Sequence, residues 1–184
     1  MTVWLRQPFR TDSVLTGEVK FHSQTRLMKK RFLWSLLIIP VLFSYCEKEE
    51  EGFTQIKGIE SLIYQAIKAH REDNGLTGPF VHQFVMVKEA QIYSYKMAND
   101  AEAVGTQGLA EHWNTIHEKI GGTNDQALVL RTTSINEDLI LSELMQLSGG
   151  EDILLSDVTQ CGIGVEDDDA GNHYITVLLM KVES

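Results

Sequence analysis

Cysteine, long apolar runs and positive charge are all in short supply in this sequence, and each shortage closes a class of answer. Two cysteines, Cys46 and Cys161, in 184 residues are too few for a disulfide scaffold. No apolar run reaches the ~20 residues of a membrane span; the longest, 32–45, rises only ~21 Å as a helix against a ~30 Å hydrocarbon core. Sixteen basic residues stand against 26 acidic ones, a balance that repels phosphate backbones and argues against nucleic acid as a partner. The chain also lacks a phosphate-cradling glycine loop, a G-x-S-x-G elbow and any internal repeat. With 43% hydrophobic residues it nonetheless has enough apolar material for a real core.

What is present begins with an address. Lys29, Lys30 and Arg31 precede the apolar run 32–45, the n-region and h-region of a secretory signal over 28–45. Phe43-Ser44-Tyr45-Cys46 resembles a bacterial lipobox, with Tyr45 bulkier than the usual small residue, so Cys46 is expected to become a lipidated N-terminus anchored in a membrane. Residues 1–27 precede this signal and read as an upstream extension from a misassigned start. Removing residues 1–45 leaves 9 of the 16 basic and 24 of the 26 acidic residues, one strongly acidic domain. Glu47-Lys48-Glu49-Glu50-Glu51 opens an acidic tether over 46–57. The same cluster resembles the tag that some Gram-negative lineages use to place lipoproteins on the outer leaflet, and an ordinary linker is the equal alternative.

Within 58–184 the apolar periodicity predicts a helix over 58–74 stopped by Gly75, a second from Phe84 to about Asp100, and a third over 109–120 closed by Gly121-Gly122. A short strand is expected at 127–130. Ser134 and Glu137 read as a capping box opening a helix whose apolar positions include Ile135, Leu139, Leu141, Leu144 and Met145. Strands at 158–165 and 172–180 should pair as a hairpin around the polar tip 166–171, a tip expected to tolerate insertion. Helices first and a hairpin last describe an α+β domain.

Ile67-Lys68-Ala69-His70-Arg71-Glu72-Asp73-Asn74-Gly75-Leu76, Ala90 with Tyr93 to Met97-Ala98, Cys161-Gly162-Ile163-Gly164-Val165, and Gly171-Asn172-His173-Tyr174-Ile175-Thr176 stand in this order. Together they make the chain resemble the bacterial branch of the CAP superfamily (SCP-like extracellular domains) over about 59–182. The resemblance implies a CAP-like α/β/α sandwich with a small, mainly antiparallel sheet. It also implies a cleft in which two His and two Glu hold a divalent metal. Carried over one by one, those positions fall on Thr106, near Gln126 and near Gly149, with Glu143 as the remaining acid. Neutral Thr, Gln and Gly cannot replace imidazole and carboxylate ligands, so no metal and no other cofactor is expected.

The other candidates are weaker. Glu111, His112, His117 and Glu118 flank Trp113, but the two histidines are five apart and so turned about 140° from each other, whereas metal pairs at i, i+4 share a face. They read as solvated helix residues, with a metal site as the alternative. His70, His82 and His173 read as surface or edge-strand residues. Cys161 reads as a buried, inert thiol. The acidic stretch Glu166 to Asp169 lacks the alternating spacing of a calcium loop. The sequence therefore points to a membrane-tethered, extracytoplasmic binding or interaction module of the cell envelope, an outer-membrane lipoprotein. Lipid or a partner protein is the ligand class that the resemblance implies. A metal-assisted hydrolase of the envelope is the competing reading.

Overall fold

The computed structural model describes residue 53 and residues 55–183. The upstream extension 1–27, the signal 28–45, Cys46 and most of the tether lie outside the described residues. From residue 58 the chain runs α1 (Gly58–Asp73), β1 (Val81–His82), α2 (Phe84–Ala98), α3 (Ala110–Ile120), β2 (Thr123–Thr132), α4 (Glu137–Gln146), α5 (Gly150–Leu154), β3 (Gln160–Asp167) and β4 (His173–Lys181). The sheet order is β1-β3-β4-β2. β4 is antiparallel to both neighbours, and β1 is parallel to β3.

Strand alternation sorts the core into two layers. Cys161, Ile163 and Val165 of β3, Ile175, Val177 and Leu179 of β4, and Leu128 and Leu130 of β2 pack with Ile63 and Ile67 of α1, Ile140 and Leu144 of α4 and Leu154 of α5. Tyr174, Leu178 and Met180 of β4 face the other way, against Met86, Ala90, Tyr93 and Met97 of α2 and Ile116 of α3. Each fully buried side chain of this size is worth about 1.5–3 kcal/mol. On the α2 side the middle of β3 offers Gly162 and Gly164, with Gln160 and Glu166 at the same parity toward its ends. A Cβ on Gly162 would lie 2.3 Å from the backbone of Met86, and one on Gly164 would lie 2.2 Å from that of Ala90. The glycines let the helix backbone rest on the strand.

Local signals explain most boundaries. Gly75, at φ +83°, ends α1, with Gly75 N donating to Glu72 O and Leu76 N to Arg71 O, both at 2.9 Å, a Schellman closure. α4 starts later than the sequence suggests. Asn136, not Ser134, caps it by accepting from Leu139 N at 3.0 Å, while Ser134 Oγ accepts from Asn136 N. The shift turns Ile135 and Leu139 to solvent, 63% and 57% exposed, and Ile140 and Leu144 form the buried stripe instead. β2 spans ten residues rather than four because it pairs with β4 along its length, apart from an irregularity between Thr123 and Gln126. β1 and α5 are too short to leave a periodic trace.

The hairpin tip is built rather than slack. Asp168 accepts from Ala170 N, Asn172 N, Asn172 Nδ2 and Tyr174 OH, and these donors, Asn172 first, hold its carboxyl down at about 2. An insertion at Asp168 would undo that network, contrary to the sequence expectation.

The glycine seat sets the first test. Gly164→Ala should destabilise the protein by about 3 kcal/mol, the upper range of overpacking. Gly171→Ala, at φ +80° in open space, should cost only about 1 kcal/mol. Urea unfolding of the two variants giving equal losses would refute the assignment.

Candidate functional site

The chemistry-bearing residues that the fold brings together lie between α2 and α3. Met86, Glu89, Ala90, Tyr93 and Met97 share the buried face of α2, so one carboxylate sits within an apolar stripe. α3 packs on this stripe through Ile116, and one turn earlier the same face carries His112 inward. His112 Nδ1 is 2.9 Å from Glu89 Oε2, and both residues are buried, 5% and 6% exposed. Lys119 Nζ stands 3.8 Å from Glu89 Oε1. The His112 and Tyr93 rings form a T-shaped pair, their centroids 5.4 Å apart and their planes at 71°. Tyr93 OH donates to Gly105 O at 2.7 Å and accepts from Gly108 N at 3.3 Å, pinning the loop that carries Thr106. Burial raises the Tyr93 phenol above its ordinary range, and nearby Glu102 adds to the effect.

This arrangement overturns the reading of His112 as a solvated helix residue. Its helix turns it into the core because Trp113 and Ile116 flank the inward face. His117 points outward and binds Asp125 at 2.7 Å instead. Glu111 and Glu118 are exposed, so the four-residue group around Trp113 does not converge. The signal that sequence reasoning missed is Glu89, an acid at apolar spacing from Met86, Tyr93 and Met97, where a buried charge demands a partner.

Chemically, a carboxylate on Nδ1 fixes an imidazole as the base half of a catalytic pair does. His112 Nε2 is buried without a hydrogen-bond partner among the described residues, and no hydroxyl or thiol bonds to it. Cys161 lies in the opposite core layer, its thiol driven up by complete burial. The pair therefore joins two helices.

The positions that the resemblance assigns to metal ligands are scattered. Thr106 is exposed on the loop at the α2 side. Gln126 has the strand parity of Leu128 and Leu130, which face the α1 side, and its Nε2 donates to Asn124 Oδ1 at 3.1 Å. Glu143 is half-buried on α4. Gly149, at φ +73°, precedes α5. These residues do not fit a divalent metal with two imidazoles and two carboxylates. Among the described residues no three His, Cys, Asp or Glu side chains group to hold a metal ion.

The other histidines are more buried than expected. His173 Nδ1 lies 2.6 Å from Asp167 Oδ1 with its side chain 16% exposed. His70 is half-buried. His82 does sit on the edge strand β1, stacked on Tyr64 at 4.7 Å.

No protein-family model matches the sequence, and no curated protein matches it. Among solved structures the chain is similar to an outer surface protein of Borrelia burgdorferi, with TM-score 0.59 and 14% identity over 71% of this chain and 97% of that one. It is also similar to an extracellular protein containing a SCP domain from Bacillus anthracis, with TM-score 0.55 and 16% identity over 67% of this chain and 40% of that one. The fold is α+β and CAP-like. At these identities the likeness concerns architecture, which here carries the described helices and the sheet closed by a hairpin.

Two measurements follow. His112→Ala, which leaves the Glu89 carboxylate buried beside Lys119 alone, should cost about 3 kcal/mol. Glu89→Gln, which keeps an acceptor, should cost about 1 kcal/mol. A double-mutant cycle by urea unfolding should show coupling above ~1 kcal/mol, and additive losses would dissolve the pair. Separately, burial pushes the His82 imidazole from 6.5 down to about 4. A histidine kept neutral in the fold binds its proton more readily once unfolded. Its contribution is thus fully present above about pH 6.5 and lost as the pH falls toward about 4. His82→Phe should remove about 2 kcal/mol of this acid sensitivity by about pH 4.5; parallel stability curves for the two proteins would exclude it.

Proposed function

We propose that this chain is a non-catalytic, extracytoplasmic binding or interaction module of CAP-like fold, tethered to a bacterial envelope membrane through a lipid on Cys46. The observation that carries the non-catalytic part is the fate of the acid–base groups. The positions that the family resemblance gives to ligands hold Thr106, Gln126 and Gly149, and the buried imidazole and carboxylate, His112 and Glu89, are spent on each other at 2.9 Å. The location is supported by the signal-like run 32–45 ending at Cys46. It is also supported by the company the fold keeps, an outer surface protein and an extracellular protein. The acidic residues after Cys46 favour the outer membrane as the resting place.

One observation favours the competing hydrolase reading. His112 is oriented through Nδ1, and among the described residues its buried Nε2 has no hydrogen-bond partner, so that nitrogen is uncommitted as a base would need. The two readings separate on zinc. A built site would bind well below millimolar, and metal at 100 times its dissociation constant would stabilise the fold by about 2.7 kcal/mol. The proposal expects zinc and chelators to leave the melting temperature unchanged. Submicromolar zinc binding lost in His112→Ala would reverse it. The anchor is read by metabolic labelling with a palmitate analogue, which should mark the wild type and not Cys46→Ser. Label persisting in that variant would sink the tether, as would peptides from residues 1–27 in the mature protein for the start site.

A further inference from the structure

The two edges of the sheet are finished differently. β3 extends past its two-residue partner β1, and side chains take up its backbone there: Glu60 Oε1 accepts from Val165 N at 3.1 Å, and Lys57 Nζ donates to Val165 O at 2.6 Å. The opposite edge is β2, ten residues long, and among the described residues β4 is the one strand that pairs with it. An open edge of this length is a template for another strand unless charge, proline or a bulge blunts it. Ala127-Leu128-Val129-Leu130 in its middle has neither charge nor proline. The irregularity between Thr123 and Gln126, with Asn124 at φ +58°, is confined to its beginning.

The register shows which groups this edge presents. Backbone groups of successive residues point to alternate sides of a strand. Val81 N bonds to Thr159 O and Gln83 N to Cys161 O, so the odd residues of β3 face β1 and its even residues face β4. Carried through the pairs Gly162–Leu178 and Leu128–Val177, the even residues of β2 bond to β4. Ala127, Val129 and Arg131 therefore turn their N–H and C=O outward. The strand's two charged residues, Asp125 and Arg131, are exposed and flank this stretch. Both side chains lie on the face that packs on α2 and α3. Asp125 Oδ2 is 2.7 Å from Nε2 of His117 on α3, and the Arg131 guanidinium stands 5.6 Å from the centre of the Tyr174 ring. Asp125 and Arg131 are equally far from Leu128, so an antiparallel copy of β2 centred on Leu128 sets each opposite the other. No other antiparallel register of β2 with itself does so. Opposite charges directly across a strand pair attract, and like charges repel. Apolar surface lies next to the same edge: Ile135 and Leu139, 63% and 57% exposed, follow directly on β2 at the start of α4, which packs on it.

We propose that β2 pairs antiparallel with β2 of a second copy of this chain about a two-fold axis at Leu128, joining two four-stranded sheets into one, with Asp125 of each copy opposite Arg131 of the other. Ala127 and Val129 exchange backbone hydrogen bonds across the axis. The assembly closes at two copies, because the two-fold uses both β2 edges and the remaining edges end in the short β1 and the Glu60–Lys57 cover. This goes beyond the envelope-module reading and stands whether or not Cys46 carries a lipid. Pairing through one edge makes a small interface, so the dimer is weak, with a dissociation constant on the order of 10 μM.

The test is sedimentation equilibrium of the full chain in a nonionic detergent, over about 1–100 μM so as to bracket that constant. The wild type should pass from monomer to dimer across this range. Asp125→Arg and Arg131→Asp each set like charges opposite one another twice per dimer and should weaken it by about tenfold or more. Combining the two reverses both signs together and should return the constant to within about threefold of the wild type. Val129→Pro supplies a variant independent of charge. The N–H that it removes faces the open edge, so the β2–β4 ladder survives, and the far-ultraviolet spectrum should hold while the dimer is lost. A chain that stays monomeric throughout the range would overturn the proposal. So would a dimer indifferent to the single reversals, which would place the association in the 32–45 run or elsewhere. Failure of the double reversal to restore pairing, or wild-type dimerisation of Val129→Pro, would overturn it equally.

Discussion

The seating of α2 on β3 is the contact from which the rest of the domain is laid out. A helix packed on a sheet normally stands off by the thickness of two side-chain layers, and here one layer is missing because Gly162 and Gly164 carry none. The close approach lets Ser94 Oγ reach Gly164 O at 3.0 Å and Thr176 Oγ1 at 2.8 Å, so α2 is bonded to two strands at once. It also lets Met86, Tyr93 and Met97 reach past β3 to the α2-facing residues of β4. Glu89, one residue before Ala90 and so about 100° round α2 from the seat, faces α3, where His112 meets it.

Other buried polar groups solve related problems. β1 covers only the first two residues of β3, which leaves the edge from Gly162 onward without a strand among the described residues. Glu60, fully buried, takes over part of that edge. It accepts from Val165 N at 3.1 Å, from Gln91 Nε2 at 2.7 Å and from Lys57 N at 2.7 Å. Lys57 Nζ donates to Val165 O at 2.6 Å and also pairs with Glu166. Burial raises the Glu60 carboxyl, and these donors pull against it. Arg71 performs the reciprocal task for carbonyls, closing the 154–158 turn that no helix or strand satisfies. Hydrogen bonds to charged groups are worth about 1.5–3 kcal/mol each, and both residues join parts of the chain that lie far apart in sequence.

How much of this the sequence discloses depends on the range of the physics involved. The ends of α1 and α3 follow from Gly75 and Gly121, whose signals act within a turn, and the hairpin follows from period-2 alternation on both sides of a polar tip. The start of α4 is harder because Ser134 and Asn136 are both good caps two residues apart, and only packing of Ile140 and Leu144 decides between them. β1 exists because β3 is there to pair with it, and nothing in Val81-His82 announces that. The site divides in the same way. Where the resemblance would expect ligands, the neutral residues Thr106, Gln126 and Gly149 can be read by position, whereas the inward turn of His112 requires knowing that Glu89 lies across from it. Glu60 and Glu89 are both acids at apolar spacing, and that misplacement is the trace each leaves in the sequence.

With 24 acidic residues against 9 basic ones in 46–184, the domain repels anions on approach, but at physiological salt that field decays within ~8 Å. A surface so charged acts on partners mainly at close range, and the tether proposed at Cys46 would supply that proximity. The twelve residues 46–57, even fully extended, span only ~40 Å, so a domain held at Cys46 samples a thin shell above the membrane, where the effective concentration of anything else confined to that surface is raised without any new contact.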